Sequence, residues 1–212
     1  MILLFRNLNA ASARWLGLLL AVAVALLAVF WPRPTADHPS GTSRETLEVL
    51  RSELTLRDGR LYRTGDSNAF SGVMIERYSG GALQSRSIVL EGVLDGVSEG
   101  WFTNGQLQVT ENFNRGVSQG LRTKWYPNGS KLSEANIVEG KLDGLFRKWH
   151  ENGFLAEQAE FNHGEPNGES LAYFPSGFLK ARVRLQAGKV VEQTFWKDGE
   201  SSDKLLAQDG TP

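Results

Sequence analysis

A 24-residue spacing of glycines is the feature that most constrains the fold of this 212-residue chain. Three sets of five glycines keep this spacing. They are Gly81, Gly105, Gly129, Gly153 and Gly177; Gly92, Gly116, Gly140, Gly164 and Gly188; and Gly72, Gly96, Gly120, Gly144 and Gly168. A fixed period of this length indicates repeated structural units, each too small to bury a core alone. The units must therefore stack, and a stacked array exposes an extended surface of the kind that binds partners.

The residues between the glycines predict two β-strands in each unit. Pairs such as Asn104-Gly105 stand between apolar runs, and Asn-Gly in that position indicates a hairpin turn because both residues tolerate positive φ. Leu107 and Phe113 belong to two apolar columns separated by an even number of positions, so they share one face of a strand. We expect hairpin turns at 79–81, 103–105, 127–129, 151–153 and 175–177, with a Gly-x-x-x-Gly turn leading into each following unit.

These turns predict an all-β fold. Short connections permit only antiparallel neighbours, so we expect a single antiparallel β-meander of 24-residue hairpin repeats over residues 54–199. One further hairpin is expected around Asp58-Gly59 at the amino-terminal end. The last hairpin, at 196–199, is two residues shorter than the others, and residues 200–212 are predicted to be a flexible tail.

Two aromatic columns precede the Asn-Gly turns and supply the candidate binding residues. These residues are Trp101, Trp125, Trp149 and Tyr173 in the first column, and Phe102, Tyr126 and Phe174 in the second. His150 occupies the second column as a structural substitute for tyrosine or phenylalanine. In one interpretation the tryptophans stack on one another and close the core of the sheet. In the other, part of the ladder lines an exposed groove for a partner.

Residues 15–31 predict a transmembrane anchor. The run is uncharged and bracketed by Trp15 and Trp31, and about 17 apolar residues is the lower limit for a helix that spans a bilayer. Arg6 and Arg14 precede the run, so we expect residues 1–14 in the cytoplasm and the repeat domain outside it. The protein would then be a single-pass protein of a bacterial inner membrane that faces the periplasm.

Two other interpretations of the amino-terminal run stay open. A cleaved signal peptide needs small residues after the apolar run, where this chain has Val29, Phe30 and Trp31. A buried core helix is the third interpretation. Residues 32–53 are expected to form a stalk or linker. Residues 44–54 could form a short helix or a strand, and Thr42 with Glu45, as a capping box that would open the helix, favours the helix.

Composition limits the classes of partner. Three of the 23 basic residues and none of the 24 acidic residues lie in the first 36 positions, so the remainder has a net charge of −4. A nucleic-acid surface would need a basic stripe, and we expect no nucleic-acid partner. The chain has no cysteine, which excludes disulfides and thiolate chemistry.

No constellation of residues predicts catalysis. His38, His150 and His163 share no metal-ligand spacing with one another, and acids such as Asp143 fall in the repeat turns. No glycine-rich phosphate loop opens a helix, and no nucleophile elbow is present. We therefore expect a protein that is not an enzyme, with no catalytic residue, metal, cofactor or small-molecule substrate.

The repeat unit resembles the MORN-variant repeat, the bacterial relative of MORN repeats. The resemblance rests on Gly120-Leu-Arg-Thr-Lys-Trp125-Tyr126-Pro-Asn128-Gly129 and on Gly144-Leu-Phe-Arg-Lys-Trp149-His150-Glu-Asn152-Gly153, and the lead-in 61–72 is also similar to that family. It covers about residues 54–199. The units depart from the pattern at Arg77, Gly80 and Lys131. Many such proteins are YwqK-family antitoxins, so the resemblance implies binding and neutralisation of a toxin.

Together these features predict a membrane-anchored repeat protein that binds a protein partner through its sheet surface. An antitoxin or immunity role is favoured, because an array held outside the cytoplasm can intercept an incoming protein without any catalytic residue. The alternative is a cell-envelope scaffold or membrane-associated organising protein, as MORN proteins more broadly are.

Overall fold

The structure is a computed structural model that describes residues 47–186 and 188–200, and β-strands form most of this part of the chain. The strands are β1 (Glu48–Leu50), β2 (Leu54–Arg57), β3 (Arg60–Arg63), β4 (Gly72–Arg77), β5 (Leu83–Leu90), β6 (Val93–Trp101), β7 (Leu107–Asn114), β8 (Val117–Ser118), β9 (Gly120–Trp125), β10 (Lys131–Val138), β11 (Lys141–Trp149), β12 (Leu155–Asn162), β13 (Glu165–Tyr173), β14 (Leu179–Gln186) and β15 (Lys189–Phe195). The all-β class expected from the sequence is confirmed.

The five Asn-Gly-type turns lie where the sequence predicts them. In each turn the glycine N–H donates to the carbonyl of the second-column residue three positions earlier, for example Gly105 to Phe102 at 2.9 Å. Gly105 has a φ of 83°, whereas the asparagine before it does not have a positive φ. The Asn128 side chain shows the role of that asparagine, because its Oδ1 accepts the N–H of Ser130 at 2.9 Å. In this turn only the glycine therefore needs a positive φ, and the asparagine contributes its side-chain hydrogen bond.

The turn between units is shorter than expected. Glu91 and Gly92 have φ values of 48° and 80°, and positive φ at both central residues is the signature of a two-residue type I′ turn. The same pair of conformations recurs at 115–116, 139–140 and 163–164. The expected Gly-x-x-x-Gly turn is therefore wrong, because the next strand begins directly after the first glycine. Gly96, inside β6, has a φ of 113° and lies beside a register shift, so this column marks a β-bulge.

One 13-stranded sheet contains the array. Its order is β1-β4-β5-β6-β7-β9-β10-β11-β12-β13-β14-β15, and β8 pairs with β7. Every pair from β4 to β15 is antiparallel, as predicted for a meander.

The amino-terminal end corrects the prediction of a single antiparallel meander over 54–199. β1 pairs with β4 in parallel, so the sheet is mixed and already includes residues 48–50, which the sequence placed in the linker. β2 and β3 form the expected hairpin, but in a separate two-stranded sheet. The helix favoured for residues 44–54 is wrong in its described part, which is β1 followed by a three-residue 3-10 turn, Arg51–Glu53. A parallel pair needs a crossover connection, and the β2–β3 hairpin supplies it.

This hairpin caps the first repeat. Its Leu54 and Leu61 are buried in the main hydrophobic cluster; the other members are Val49, Phe70, Met74 and Val89, with Leu94 packed against them. The cap also bonds to the type I′ turn at 91–92, because the Leu61 N–H donates to the Gly92 carbonyl at 2.8 Å. Terminal units of repeat proteins commonly differ from the internal ones in this way.

One face of the long sheet is more deeply buried than the other. Along β14, Leu179, Ala181 and Val183 are buried, whereas the alternating residues between them are exposed. We call the side of Leu179 and Val183 the buried face and the side of Lys180 and Arg184 the open face. Residues of other strands are assigned to these faces through their cross-strand pairs.

Several sequence predictions lie outside the described residues. The transmembrane run 15–31, residues 1–14 and most of the 32–53 linker belong to this group, as do residues 201–212 of the tail. Among the residues that the structure does describe, no helix combines the length and apolar character needed to cross a bilayer.

The approach of the cap to Gly92 yields a prediction. A Cβ on Gly92 would lie 2.8 Å from Arg60 Cβ and 2.9 Å from the Leu61 backbone, whereas a Cβ on Gly105 would meet nothing within 4 Å. Both glycines have positive φ, so alanine at either position should incur about 1–2 kcal/mol of left-handed strain. Gly92→Ala should lower the free energy of unfolding further than Gly105→Ala, as measured by urea titration. Equal losses would contradict the tight contact between cap and turn.

Candidate binding surface

The first aromatic column lies where the strands enter the three-residue turns. Trp101, Trp125 and Trp149 are the last residues of β6, β9 and β11, and Tyr173 is the last residue of β13. The hairpin register shifts beside each of these residues. The three indoles are half-buried, and Tyr173 is 8% exposed. The side chains of this column are therefore neither all buried in a core nor fully exposed to solvent.

The three tryptophans do not stack on one another. Equivalent residues of successive repeats are two strands apart, which is about 9.6 Å, so another strand always lies between them. Leu107 pairs with Trp101, and Lys131 pairs with Trp125. Lys131 Nζ also lies 5.3 Å from the centre of the Trp149 ring, a cation–π geometry. The departure of Lys131 from the leucine column thus places a cation between two indoles.

The second aromatic column connects each repeat to the next through hydrogen bonds. Tyr78 Oη donates to the Trp101 carbonyl at 2.7 Å, and Tyr126 Oη donates to the Trp149 carbonyl at 2.9 Å. His150 Nε2 lies 3.0 Å from the carbonyl of Tyr173, which makes the same bond when this nitrogen carries the proton. The structural role predicted for His150 is confirmed. Phe102 and Phe174 occupy the same column but have no polar atom for this bond.

The turn asparagines add a parallel set of bonds. Asn104 Nδ2 donates to the carbonyl of Pro127, and Asn152 Nδ2 donates to that of Pro175, each at 2.8 Å. All seven aromatic residues proposed as binding residues therefore lie along one side of the sheet, next to turns that are bonded to one another. Contacts of several of these residues join successive repeats, as between Tyr126 and Trp149, so these residues contribute to the stability of the array.

The open face carries a row of mostly polar side chains, which we call the polar row, across neighbouring strands. Cross-strand pairing connects the row in the order Arg86, Glu99, Thr110, Thr123, Glu134, Arg147, Gln158, Leu171 and Arg182. Charges of both signs are interspersed within it. Two of its members are joined by a hydrogen bond, from Arg147 Nε to Gln158 Oε1 at 3.4 Å. Such a mixed row does not resemble the basic stripe of a nucleic-acid surface.

Exposed aliphatic side chains lie between this polar row and the type I′ turns. Leu121 is 57% exposed and pairs with Asn136, and Leu90 and Val117 are 50% and 46% exposed on nearby strands. These residues lie outside the aromatic columns from which the binding residues were predicted. The sequence does contain a signal for them. The residue after the glycine of the set that includes Gly96, Gly120 and Gly144 is aliphatic in three successive repeats, as Val97, Leu121 and Leu145.

Glu99 is the charged member of this polar row that is buried. It is only 7% exposed, and its Oε2 has no hydrogen-bond partner. Burial raises the pKa of Glu99 to about 7, and the positive charge of Arg86 on the adjacent strand partly opposes this shift. The side chain therefore changes its charge near neutral pH.

The buried face also holds charged residues in the middle of the array. Arg122 forms an ion pair with Glu111 at 3.2 Å, and the Ser118 hydroxyl donates to the same carboxylate at 2.5 Å. Burial, with Arg122 nearby, lowers the pKa of Lys124, and burial raises the pKa of Glu157. Over the described ranges, no group of three histidine, aspartate or glutamate side chains could hold a metal ion.

Comparison with known families agrees with the repeat geometry. A family model for the MORN repeat variant matches residues 94–115 and 142–163. The array carries MORN repeat variants at these two sites. Each matched segment is one hairpin of the sheet, and both contain a tryptophan, an Asn-Gly turn and a leucine two positions after the turn glycine. No curated protein matches the sequence.

The two matches cover one of the two segments on which the resemblance to the MORN-variant repeat rests. The segment 144–153 lies inside the second match, whereas 120–129 lies between the two matches. The unit that contains 120–129 has Lys131 in place of the leucine and Ile137 in place of the phenylalanine. It still forms the same hairpin, from β9 to β10. The matches support a repeat protein, and they do not extend to the antitoxin family.

The inter-repeat bond of the second aromatic column can be tested in both directions. Tyr126→Phe removes a donor to the Trp149 carbonyl, and we expect a loss of about 1 kcal/mol in the free energy of unfolding. Phe102→Tyr should place a hydroxyl near the Trp125 carbonyl and stabilise the array by a similar amount. Urea unfolding of both variants and of the wild type measures the two changes. If the two substitutions shift stability in the same direction, the ladder of bonds is not a general feature of the repeat.

The buried Glu99 predicts a pH dependence of stability. The pKa of Glu99 in the folded protein, about 7, lies above the value of 4.5 for a free glutamate, so its contribution to stability is complete below pH 4.5 and is lost as the pH rises through 7. Glu99→Gln should remove this loss and make the protein more stable than the wild type at pH 8. Urea unfolding between pH 4.5 and 8 tests this, with Glu139→Gln at an exposed turn as the matched control. Parallel profiles for wild type and Glu99→Gln would show that Glu99 does not titrate in this range.

Proposed function

We propose that this chain is a non-catalytic binding protein that holds a protein partner on the open face of its sheet. The observation that carries the proposal is the group of exposed aliphatic residues, Leu90, Val117 and Leu121, which lie beside the polar row of this face. Protein interfaces commonly consist of an apolar centre surrounded by a polar rim. The polar row from Arg86 to Arg182 supplies such a rim.

The size and stiffness of the surface support a protein rather than a small ligand. Twelve strands lie side by side in the sheet order, which gives a length of about 50 Å at the usual strand spacing. A stable protein interface requires about 800 Å² on each partner, and a surface of this length can provide it. The hydrogen bonds from Tyr78 and Tyr126 to the following repeats hold the surface in one shape before binding. A preorganised surface loses less conformational freedom on association.

We further propose an antitoxin or immunity role for a membrane-anchored form of the protein. Support comes from the uncharged run 15–31 and from the resemblance of the repeat units to those of antitoxins. In this proposal the array lies outside the cytoplasm and intercepts an incoming toxin. A cell-envelope scaffold is the alternative, and it would use the same open face to organise other envelope proteins.

The binding face can be tested with matched substitutions. A photo-crosslinking residue at position 121 in the full-length protein identifies the partner in cells, and the affinity of the purified partner is then measured by calorimetry. Leu121→Asp should weaken binding at least tenfold, because a charge would be buried in the apolar centre of the interface. Leu56→Asp is the control, since Leu56 is 60% exposed but lies on the separate β2–β3 hairpin. Equal affinities for the two variants would exclude the open face as the binding site.

A growth experiment separates the two functions. If the partner is a toxin, its expression without this chain should arrest growth, and co-expression of the full-length protein should restore growth. A partner whose expression has no effect on growth, but whose position in the envelope changes when this chain is deleted, would favour the scaffold. Carboxyl-terminal reporter fusions test the orientation, and activity of a cytoplasm-only reporter would contradict it.

A further inference from the structure

Four Asn-Gly pairs in this chain have a reactivity that the proposed function does not use. They are Asn104-Gly105, Asn128-Gly129, Asn152-Gly153 and Asn167-Gly168. The backbone nitrogen that follows an asparagine can attack the side-chain amide carbon, and a following glycine has no side chain to hinder that attack. Asn-Gly is therefore the pair at which asparagine most readily loses its amide nitrogen as ammonia.

Three of the pairs lie in equivalent three-residue turns, so their side chains can be compared directly. In each turn the glycine N–H donates to a carbonyl three residues earlier, at 2.9 Å for Gly105, Gly129 and Gly153. This contact is common to the three turns and does not distinguish them. The fourth pair lies inside β13, where Gly168 pairs with Leu185 and the backbone is held in the sheet.

The side chains of Asn104 and Asn152 are fixed at both ends of the amide. Asn104 Nδ2 donates to the Pro127 carbonyl at 2.8 Å, and its Oδ1 accepts the backbone N–H two residues later at 3.1 Å. Asn152 makes the same two contacts, at 2.8 Å to the Pro175 carbonyl and 3.3 Å from the N–H two residues later. Movement of either amide carbon toward the glycine nitrogen must therefore break a bond to the next repeat.

The side chain of Asn128 is held in a different way. Its Oδ1 accepts two hydrogen bonds from Ser130, at 2.9 Å from the backbone N–H and 2.7 Å from the hydroxyl. In this turn the carbonyl equivalent to that of Pro127 or Pro175 belongs to Glu151. The Ser130 hydroxyl lies 3.3 Å from that oxygen, where an asparagine amide bonds in the other two turns.

These contacts favour the reaction at Asn128. When the Gly129 nitrogen gives its proton to a solvent base and attacks Asn128 Cγ, a bond forms between them and negative charge develops on Oδ1. The two donors of Ser130 stabilise that charge, as paired donors do in an oxyanion hole. The Cγ–Nδ2 bond then breaks, and the leaving nitrogen takes a proton from water and departs as ammonia. Water opens the resulting succinimide at either carbonyl and leaves aspartate or isoaspartate.

We propose that Asn128 is a site of spontaneous deamidation in the folded protein and that it reacts before the asparagines of the other Asn-Gly pairs. The product carries one more negative charge near Glu151 of the next repeat. In the isoaspartate form the main chain of the turn is also one carbon longer. This extension displaces the bond that closes the turn, from the Tyr126 N–H to the Ser130 carbonyl at 2.8 Å.

Ageing of the purified full-length protein in mild detergent at mildly alkaline pH tests the proposal. Peptide mass spectrometry over a time course follows the mass increase of each Asn-Gly peptide. Asn128 should deamidate at least about fivefold faster than Asn104 or Asn152, the factor expected for one net hydrogen bond. In urea, where the turns are lost, the rates at the Asn-Gly sites should be similar. Equal rates in the folded protein, a faster reaction at another site, or a preference for Asn128 that persists in urea would overturn the proposal.

Two substitutions of Ser130 separate the contacts of the turn from the Asn-Gly sequence itself. Ser130→Ala removes the hydroxyl donor, whereas Ser130→Thr keeps a hydroxyl at the same position. The ratio of the Asn128 rate to the Asn104 rate, measured in the same molecules, allows for any change in overall stability. This ratio should fall in Ser130→Ala and stay at the value of the wild type in Ser130→Thr. An unchanged ratio in Ser130→Ala would contradict the stabilisation of the reacting amide by Ser130 and overturn the proposal.

Discussion

Two turns in each repeat, both of which need left-handed backbone, are the constraint on which the rest of the structure depends. One is the three-residue turn, which ends at a left-handed glycine such as Gly105, and the other is the two-residue turn, in which both residues, such as Arg115 and Gly116, are left-handed. Together they reverse the chain twice within 24 residues, so the strands after both turns return to the same sheet. Residues with a Cβ adopt this conformation at a cost, which explains why glycine recurs here with so little variation. The aromatic columns, the polar row and the bulges all take their places from these two reversals.

Contacts between successive repeats supply much of the order in a sheet that has little hydrophobic core. The main hydrophobic cluster lies at the amino-terminal cap, around Leu61, Met74 and Val89. Farther along the array, small residues such as Ala135 and Ala159 are buried between larger neighbours. Bonds such as that from Tyr126 to the Trp149 carbonyl then connect one repeat to the next. The stability of such a chain depends on the interactions between adjacent repeats, so a substitution that destabilises one repeat should also destabilise its neighbours.

The repeat geometry could be predicted from the sequence, whereas the ends and the open face could not. The positions of the three-residue turns follow from Asn-Gly spacing, because the signal is local and repeats five times. The parallel pairing of β1 with β4 has no such signal, since it depends on the crossover and the packing of Leu54 and Leu61. The prediction that the tryptophans stack on one another was wrong. Periodicity in the sequence does not show that another strand lies between equivalent residues of successive repeats. The exposed Leu121 was missed because its exposure depends on the cross-strand neighbours, which become known only with the register.

The direction of the inter-repeat hydrogen bonds has a consequence for how such a surface can change its size. Each donor, whether Tyr78, Tyr126 or Asn104, bonds to a carbonyl 23 residues later, so every internal repeat provides acceptors for the preceding unit and has positions for donors to the following one. A duplicated or deleted block of 24 residues therefore preserves the pattern of bonds at the new junction. The length of the surface would change in steps of two strands, or about 9.6 Å, while the amino-terminal cap stays as it is. Gene duplication can thus adjust the reach of the array to partners of different size without redesign of any single repeat.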